Sequence, residues 1–373
     1  MHIVVNNIYL QGNHPHGNHF VQHLFSYLIG KHPEHYFYFL VNKSDKINYT
    51  KADNATIITI NQSIKNIASL KIWETIQLPK MLKQLKATIL VQPNGLTGTT
   101  KVPQLMVVID QLWVQQPSTA PAFLRWYRRV FMKQGIYKAA QITTLTEQTR
   151  QDLLSTYPMA AGKVSLVYSA ASPLFQPVDY DQKRQTKDGY ADGREYFLYT
   201  GIHHSTKNIF ELLRAFTLFK RWQKSNMKLL VVGTIAAEKN GIPQKLTSYK
   251  YKDDVVLLPA ITEQQLAHIT AAAYAVIHPF FHEPLAMPIL SSMQSGVPVI
   301  TISAHNIEEI GGDTCFYALP NNSEALANEM KLLYRDELLS QSLVEKGLQQ
   351  ATVFNWKRTG DLFWDAVLKV IAN

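Results

Sequence analysis

The sequence predicts two open α/β sheets in tandem. Three observations carry this. The chain has 373 residues, which is long for one domain and suits two. Short β-branched or aromatic runs alternate with amphipathic stretches, the pattern of parallel strands joined by crossover helices. The alternation stops in a polar stretch near the middle of the chain and then restarts.

Taken in order, "HIVVNN" is the first strand, followed by a Gly/His/Asn loop and the helical "FVQHLFSYLIGK". "YFYFLVN" and "NATIITI" are the next strands, and "LPKMLKQLKATILVQ" and "QLMVVID" continue the alternation. This half, 1–180, is the expected N-terminal domain. "YDQKRQTKDGYADGRE" is polar with almost no apolar residues, so 181–195 is the expected linker. Beyond it, "EYFLYTG", "IFELLRAFTLFKRWQ", "MKLLVVG", "VVLLPA", "TEQQLAHITAAA", "YAVIHP" and "VPVIT" repeat the alternation over 196–355. Residues 356–373 form a closing helix expected to pack back toward the first domain. Ligands of open α/β sheets bind beyond the carboxyl ends of the strands, so the chemistry is expected in loops after strands, facing a crevice between the two sheets.

Composition narrows the function. An apolar fraction of 46% with 17% charged residues describes a globular protein, not a disordered one. The single cysteine, Cys315, excludes an internal disulfide and a multi-cysteine metal cluster, and is expected to serve packing. "MHIVVNNIYL" reads as a first strand and not a signal peptide, and no window reaches the ~18 apolar residues of a membrane span. Residues 1–180 hold 17 Lys and Arg against 8 Asp and Glu, whereas the rest of the chain holds 20 against 20, so the whole +9 lies in the first half. Such asymmetry points to an anionic partner. "FLRWYRRVFMKQGIYK" and Lys80, Lys83 and Lys86 interleave basic with apolar residues, as on a helix lying on an anionic membrane surface. No nucleic-acid recognition motif accompanies them. A cytoplasmic protein, peripheral at the inner face of the membrane, is the expectation.

Two loops of the second half stand out. In "HPFFHEPLAMPILSSMQSGVPVIT" a strand ends, Glu283 follows in a loop, and Met287-Pro288 start a helix whose free N–H groups suit a phosphate. Glu283 is suited to hydrogen-bond sugar hydroxyls a few ångströms further out. In "YTGIHHSTKN", Gly201 permits a tight exit from the strand, and Lys207 heads the next helix, where a cation makes sense if an anion binds beside it. A diphosphate joined to a sugar satisfies both loops.

These segments resemble the retaining glycosyltransferases of family 4. "HEPLAMPILSSMQSGVPVI" is similar to their Glu-Gly-Phe-Gly-Leu-Pro donor motif with its trailing Gly-x-Pro-Val-Ile, and "TGIHHSTKN" to their phosphate loop. "ITTLTEQTRQDLLSTYP", "IEEIGGDTCFYALPNNSEALANEM" and "FNWKRTGDLF" match further segments of that family, in order, along the whole chain. The resemblance implies the GT-B architecture, two Rossmann-like domains, and transfer of a sugar from a nucleotide-diphosphate donor with retention at the anomeric carbon. It implies no metal and no cofactor. Lys207 and Glu283 are then the catalytic pair: Lys207 stabilises the charge developing on the phosphate, and Glu283 orients the sugar. Gly201, Leu285, Ala286, Met287, Pro288 and Ser291 complete the donor-binding set. The acceptor, a glycan or lipid-linked glycan of cell-envelope polysaccharide, falls to the N-terminal half, with Gly12, His16, Gly17 and Asp110 on its side.

The chain departs from the family's pattern at defined positions. The glutamate that receives the ribose diol falls at Ser291, and the His-Asp pair reads Ile109-Asp110. The basic residue beside the lysine is Thr206, and the glycine-rich loop reads Pro284-Leu285-Ala286. A homologue acting as a binding or scaffolding subunit is the alternative these departures favour. His14, His16, His19 and His23 lie within ten residues, but no carboxylate or cysteine accompanies them, so they are read as a loop bordering the acceptor and not as zinc ligands. "YLQGNHPHGN" lacks the Gly-x-Gly-x-x-Gly spacing of a nucleotide-cofactor oxidoreductase.

Overall fold

The apolar runs form parallel strands in the computed structural model, which describes residues 1–8, 15–42, 52–60, 64, 67–93, 100–109, 122–200, 206–233, 246–280 and 285–372. The chain divides into two units, Met1–Ala170 with Asn355–Asn373, and Ala171–Phe354.

The first unit is built on seven strands: β1 (His2–Asn6), β2 (Tyr36–Asn42), β3 (Ala55–Ile60), β4 (Ile89–Gln92), β5 (Gln104–Val108), β6 (Gln141–Thr144) and β7 (Val164–Leu166). Their order is β3-β2-β1-β4-β5-β6-β7, so the direction of winding reverses between β1 and β4. Val4 of β1 lies opposite Tyr38 on one side and Leu90 on the other. Ile3, Val4 and Val5 are all fully buried, because helices cover both faces of a parallel sheet and leave no polar side. The helices are α1 (Pro15–Lys31), α2 (Ile67–Ile72), α3 (Leu78–Gln84), α4 (Ala122–Lys138) and α5 (Glu147–Thr156). A π-helical turn, Trp73–Gln77, joins α2 to α3 and turns Trp73 into a core with Leu70, Leu78 and Leu82.

The second unit repeats the scheme. Its strands are β8 (Tyr196–Thr200), β9 (Lys228–Val232), β10 (Val255–Leu258), β11 (Ala275–His278), β12 (Val299–Ile302) and β13 (Cys315–Ala318), in the order β10-β9-β8-β11-β12-β13. The helices are α6 (Tyr180–Ala191), α7 (Thr206–Gln223), α8 (Glu263–Ala271), α9 (Met287–Gln294), α10 (His305–Gly311), α11 (Ser323–Arg335) and α12 (Glu337–Ala351). Phe197, Phe216, Phe219, Leu229 and Ile277 pack together under α7 and α11. Cys315 is buried in this unit.

The linker expected at 181–195 is a correction. Most of it is α6, capped by Asp179, whose carboxylate accepts from the Gln182 N–H at 2.8 Å, and closed by Asp192 in the left-handed conformation, φ 52°. Ala191 is the one buried residue of α6, and a helix that faces solvent on nearly every side reads in sequence like a loop. The chain passes from one unit to the other at Ala170–Ala171 instead. Just past that point, Gln294 donates to the carbonyls of Ser172 and Phe175 at 3.0 and 2.7 Å, fastening the segment to the end of α9.

The last helix, α13 (Trp356–Ala372), belongs to the first unit. The Thr359 hydroxyl donates to the Tyr168 carbonyl at 2.8 Å, and Phe363, Ala366, Val367 and Val370 are buried. Phe363 meets Phe25 of α1 edge-on at 5.8 Å. The amino-terminal sheet therefore has one of its covering helices from the far end of the chain.

Candidate functional site

The two loops expected to bind the donor follow β8 and β11, the two neighbouring strands at the centre of the second sheet, where the winding reverses. This is the place a ligand occupies in an open α/β sheet. Gly201 and Glu283 lie outside the described residues, and Lys207 is described only through the backbone of α7, as its second residue. The structure describes what flanks them. His278 ends β11, buried to 1% exposure, with its ring 4.7 Å from Phe280, and its carbonyl accepts from the Thr301 hydroxyl of β12 at 2.9 Å.

The chain then enters α9 through Ala286, whose φ of 46° and ψ of 34° are left-handed. No side chain caps this helix, and Pro288 in its first turn has no N–H to satisfy. The Ala286 carbonyl accepts from Ile289 and Leu290 at 3.0 and 2.9 Å and starts the helical ladder. Leu285 and Ala286 are buried, at 2% and 1% exposure, whereas Met287 and Pro288 are partly exposed. Ser291 is 6% exposed on the same helix. Ser292 is fully buried and donates to the Pro288 carbonyl at 2.6 Å. Of the donor residues expected from sequence, the structure thus brings Leu285, Ala286, Met287, Pro288 and Ser291 onto one helix start. A cleft at the carboxyl ends of β11, β12 and β13 is lined by Pro279, Ile302, Leu319, Asn321 and Glu211 of α7.

On the acceptor side, Gly12 and Asp110 lie outside the described residues, and His16 and Gly17 are described only as backbone of the first turn of α1. What the sequence did not point to is a buried amide cluster at the reversal point of the first sheet. Asn6 and Gln92 end β1 and β4, and the Asn6 amide donates to Gln92 Oε1 at 2.7 Å. Gln92 donates in turn to Gln104 at 3.4 Å, and Asn7 donates to Asn18 of α1 at 3.0 Å. Asn6, Asn7 and Gln92 are fully buried, and Asn6 Oδ1 and Asn7 Oδ1 have no hydrogen-bond partner among the described residues. Two unsatisfied acceptors at the ligand end of a sheet are costly unless a ligand or water meets them. The signal in the sequence was the doublet Asn6-Asn7 directly after an apolar strand.

Elsewhere in this unit, Glu74 of the π turn is 1% exposed, receives Lys71 at 3.0 Å, and has a second oxygen with no partner among the described residues. Burial pushes its carboxyl above the usual range, and Lys71 offsets only part of that. His19 and His23 are 4.4 Å apart, and His23 stacks on Trp356 at 5.2 Å. The unit holds 20 Lys and Arg against 9 Asp and Glu, so the basic excess found in the sequence rises to +11 here, against −2 in the second unit. Lys80, Lys83, Lys86, Lys133 and Lys138 are exposed, while the side chains of Arg125, Arg128 and Arg129 lie outside the described residues. No helix among the described residues is long and apolar enough to cross a membrane.

Residues 181–350 match the family described as Glycosyl transferases group 1, a span that runs from α6 to α12 and takes in the loops after β8 and β11. This part of the chain is similar to the group 1 glycosyl transferases. The chain is 24% identical over 232 residues to O-antigen chain mannosyltransferase B of Escherichia coli, a match covering 62% of this chain and 61% of that protein. It is 22% identical over 205 residues to O-antigen chain mannosyltransferase RfbU of Salmonella typhimurium, covering 55% and 54%. The chain thus spans between half and two thirds of the length of these relatives. Among solved structures, Anabaena HepE in complex with UDP and glucose matches with a TM-score of 0.76 at 13% identity over 99% of both chains. Two Rossmann-like units, each an open parallel sheet covered by helices, are the elements of the GT-B fold that the sequence predicted.

Proposed function

We infer that the protein transfers a hexose from a nucleotide-diphosphate sugar to a glycan or lipid-linked glycan of the cell envelope, with retention at the anomeric carbon. The observation that carries this reading is the glycosyl transferase match over 181–350, with its two donor loops at the reversal point of the sheet. Mannose is the first sugar to test, because the relatives are named as mannosyltransferases. HepE was solved with UDP and glucose, which supports a nucleoside-diphosphate donor.

In this reading the start of α9 and Lys207 receive the diphosphate, and Glu283 receives the sugar hydroxyls. Charge grows on the leaving diphosphate as the glycosidic bond breaks, and a lysine with preorganised N–H groups stabilises it most at that moment. The diphosphate itself accepts the proton of the attacking hydroxyl, so no protein base is required. The acceptor side is the carboxyl end of the first sheet, where Asn6 Oδ1 and Asn7 Oδ1 are poised to accept from sugar hydroxyls. The basic first unit draws a lipid-linked acceptor by holding the protein at an anionic membrane surface.

The test is a panel of GDP-mannose, UDP-glucose, UDP-galactose and ADP-glucose, read by nucleotide release with a lipid-linked oligosaccharide acceptor and by NMR of the product's anomeric carbon. One diphosphate sugar is expected to turn over with retention, unaffected by EDTA. Lys207→Ala and Glu283→Gln are expected to abolish turnover in folded protein. Nucleotide binding without turnover by any donor would instead favour the binding-subunit reading.

A further inference from the structure

The turn between α1 and β2 gathers His32, Glu34 and His35 in the sequence His-Pro-Glu-His. We propose that these three side chains form a binding site for a divalent transition metal of the zinc or copper type, through His32 Nδ1, Glu34 Oε1 and His35 Nε2.

Glu34 Oε1 lies 3.3 Å from His32 Nδ1 and 3.3 Å from His35 Nε2, and the three atoms fall within 4.8 Å of one another. Ligands held at 2.0–2.1 Å from one ion at tetrahedral angles are about 3.3–3.4 Å apart, so the carboxylate oxygen already has the spacing a metal would impose on it. The two imidazoles are 10° from parallel with centroids 5.9 Å apart. Two rings that share an ion through their nitrogens have centroids about 5–6 Å apart, given the same bond lengths. Two imidazoles and one carboxylate leave an open position for water and suit zinc or copper over magnesium or calcium.

The turn is also built to hold its shape. The Asn54 amide donates to the carbonyls of Ile29, His32 and His35 at 3.2, 3.2 and 3.1 Å, tying both ends of the turn to one side chain. Trp364 of α13 stacks on His32 at 3.7 Å and on His35 at 5.2 Å, fixing both ring planes. The site is at the amino-terminal edge of the first sheet, opposite the carboxyl ends that face ligands. A metal there fastens the α1–β2 turn and takes no part in sugar transfer.

Calorimetric titration of the metal-stripped full chain with zinc chloride, and separately with copper sulfate, tests this. One equivalent is expected to bind, copper more tightly than zinc. Glu34 is 58% exposed, so Glu34→Gln leaves the fold intact; it and His35→Ala are expected to weaken that equivalent at least about tenfold, the lower end of what losing even an outer-shell partner costs. The pair His19→Ala and His23→Ala is expected to leave it unchanged. Copper should quench Trp364 fluorescence, a fraction identified by Trp364→Phe. The proposal is overturned if no saturable equivalent appears. It is equally overturned if Glu34→Gln and His35→Ala bind like wild type, or if the first equivalent disappears in the His19/His23 pair.

Discussion

Gly360→Ala isolates how firmly α13 is held by the first unit. Alanine is favoured over glycine within a helix by about 0.8–1 kcal/mol, so propensity alone predicts stabilisation. The structure predicts the opposite. A Cβ at Gly360 would sit 2.3 Å from Cδ1 and 2.5 Å from Cε1 of Tyr27, where carbon atoms in contact stand about 3.5–4.0 Å apart. The ring is not free to yield. Its hydroxyl donates to Asp361 at 3.2 Å, and Lys31 both pairs with Asp361 and sits 5.6 Å above the ring. Overpacking of this kind costs ~1–3 kcal/mol and a lost hydrogen bond ~0.5–1.5 kcal/mol, so the net is destabilisation by about 1–3 kcal/mol. For a unit of this size each kcal/mol moves the midpoint by about 2–4 °C. Differential scanning calorimetry and urea unfolding of Gly360→Ala, Tyr27→Ala and the double variant would measure it. In the double variant the new methyl has room, so the two changes should couple favourably by about 1 kcal/mol or more. A Gly360→Ala protein as stable as wild type, or a strictly additive double variant, would refute the close approach of α1 and α13.

Three further outcomes follow from single sites. Glu74 has its carboxyl held above the ordinary range by burial, so its contribution favours folding at low pH and is lost as pH rises from the carboxylate range through its folded value; Glu74→Gln should therefore gain stability over wild type at pH 7 and lose that advantage below about pH 4, a pattern that urea titrations at the two pH values would read. Burial pushes the Cys315 thiol up to about 11, so it should resist Ellman's reagent at pH 8 until the protein unfolds, and fast labelling of native protein would contradict its placement. Ser291 stands where the family resemblance places a ribose-binding glutamate; Ser291→Glu should tighten nucleoside-diphosphate binding by about tenfold, as charge-assisted hydrogen bonds of ~1.5–3 kcal/mol allow, and unchanged affinity in calorimetry would count against a donor at the start of α9.

The alternation of apolar and amphipathic segments placed the strands well because a parallel sheet buries both faces, so runs such as Ile3-Val4-Val5 and Leu229-Leu230-Val231 have no polar side to disguise them. The boundary between units was illegible for the converse reason. Helix α6 buries only Ala191, so its polar composition reads like a linker, while the real crossing at Ala170–Ala171 lies between short apolar residues. The amide cluster was hidden too. Burial of Asn6, Asn7 and Gln92 depends on strands β1 and β4 being neighbours, a pairing across more than eighty residues that no local pattern encodes. Nor does the His-Pro-Glu-His turn announce itself without Trp364, which arrives from the last helix of the chain.

Ala286 shows how a departure in sequence can preserve a conformation. The resembled donor motif carries glycine at this position, and the alanine reads as a bulkier, stiffer loop. In the structure Ala286 nonetheless adopts the left-handed backbone, φ 46°, that glycine adopts without penalty. An L-residue there costs roughly 1–2 kcal/mol, and the buried methyl, 1% exposed, returns about 0.8 kcal/mol of it. Glycine would also lose more conformational freedom on folding, by ~0.4–1 kcal/mol, so alanine and glycine come out close to even. The left-handed turn at the start of α9 is therefore tolerated with alanine in place of glycine. A β-branched residue has no such balance, since it adds clash at positive φ and overpacks a position that is already buried. Ala286→Val should lower stability by about 2 kcal/mol or more and weaken nucleotide binding with it, whereas Ala286→Gly should leave both nearly unchanged. Equal behaviour of the two variants in urea unfolding and nucleotide titration would mean that the left-handed turn is not what positions α9.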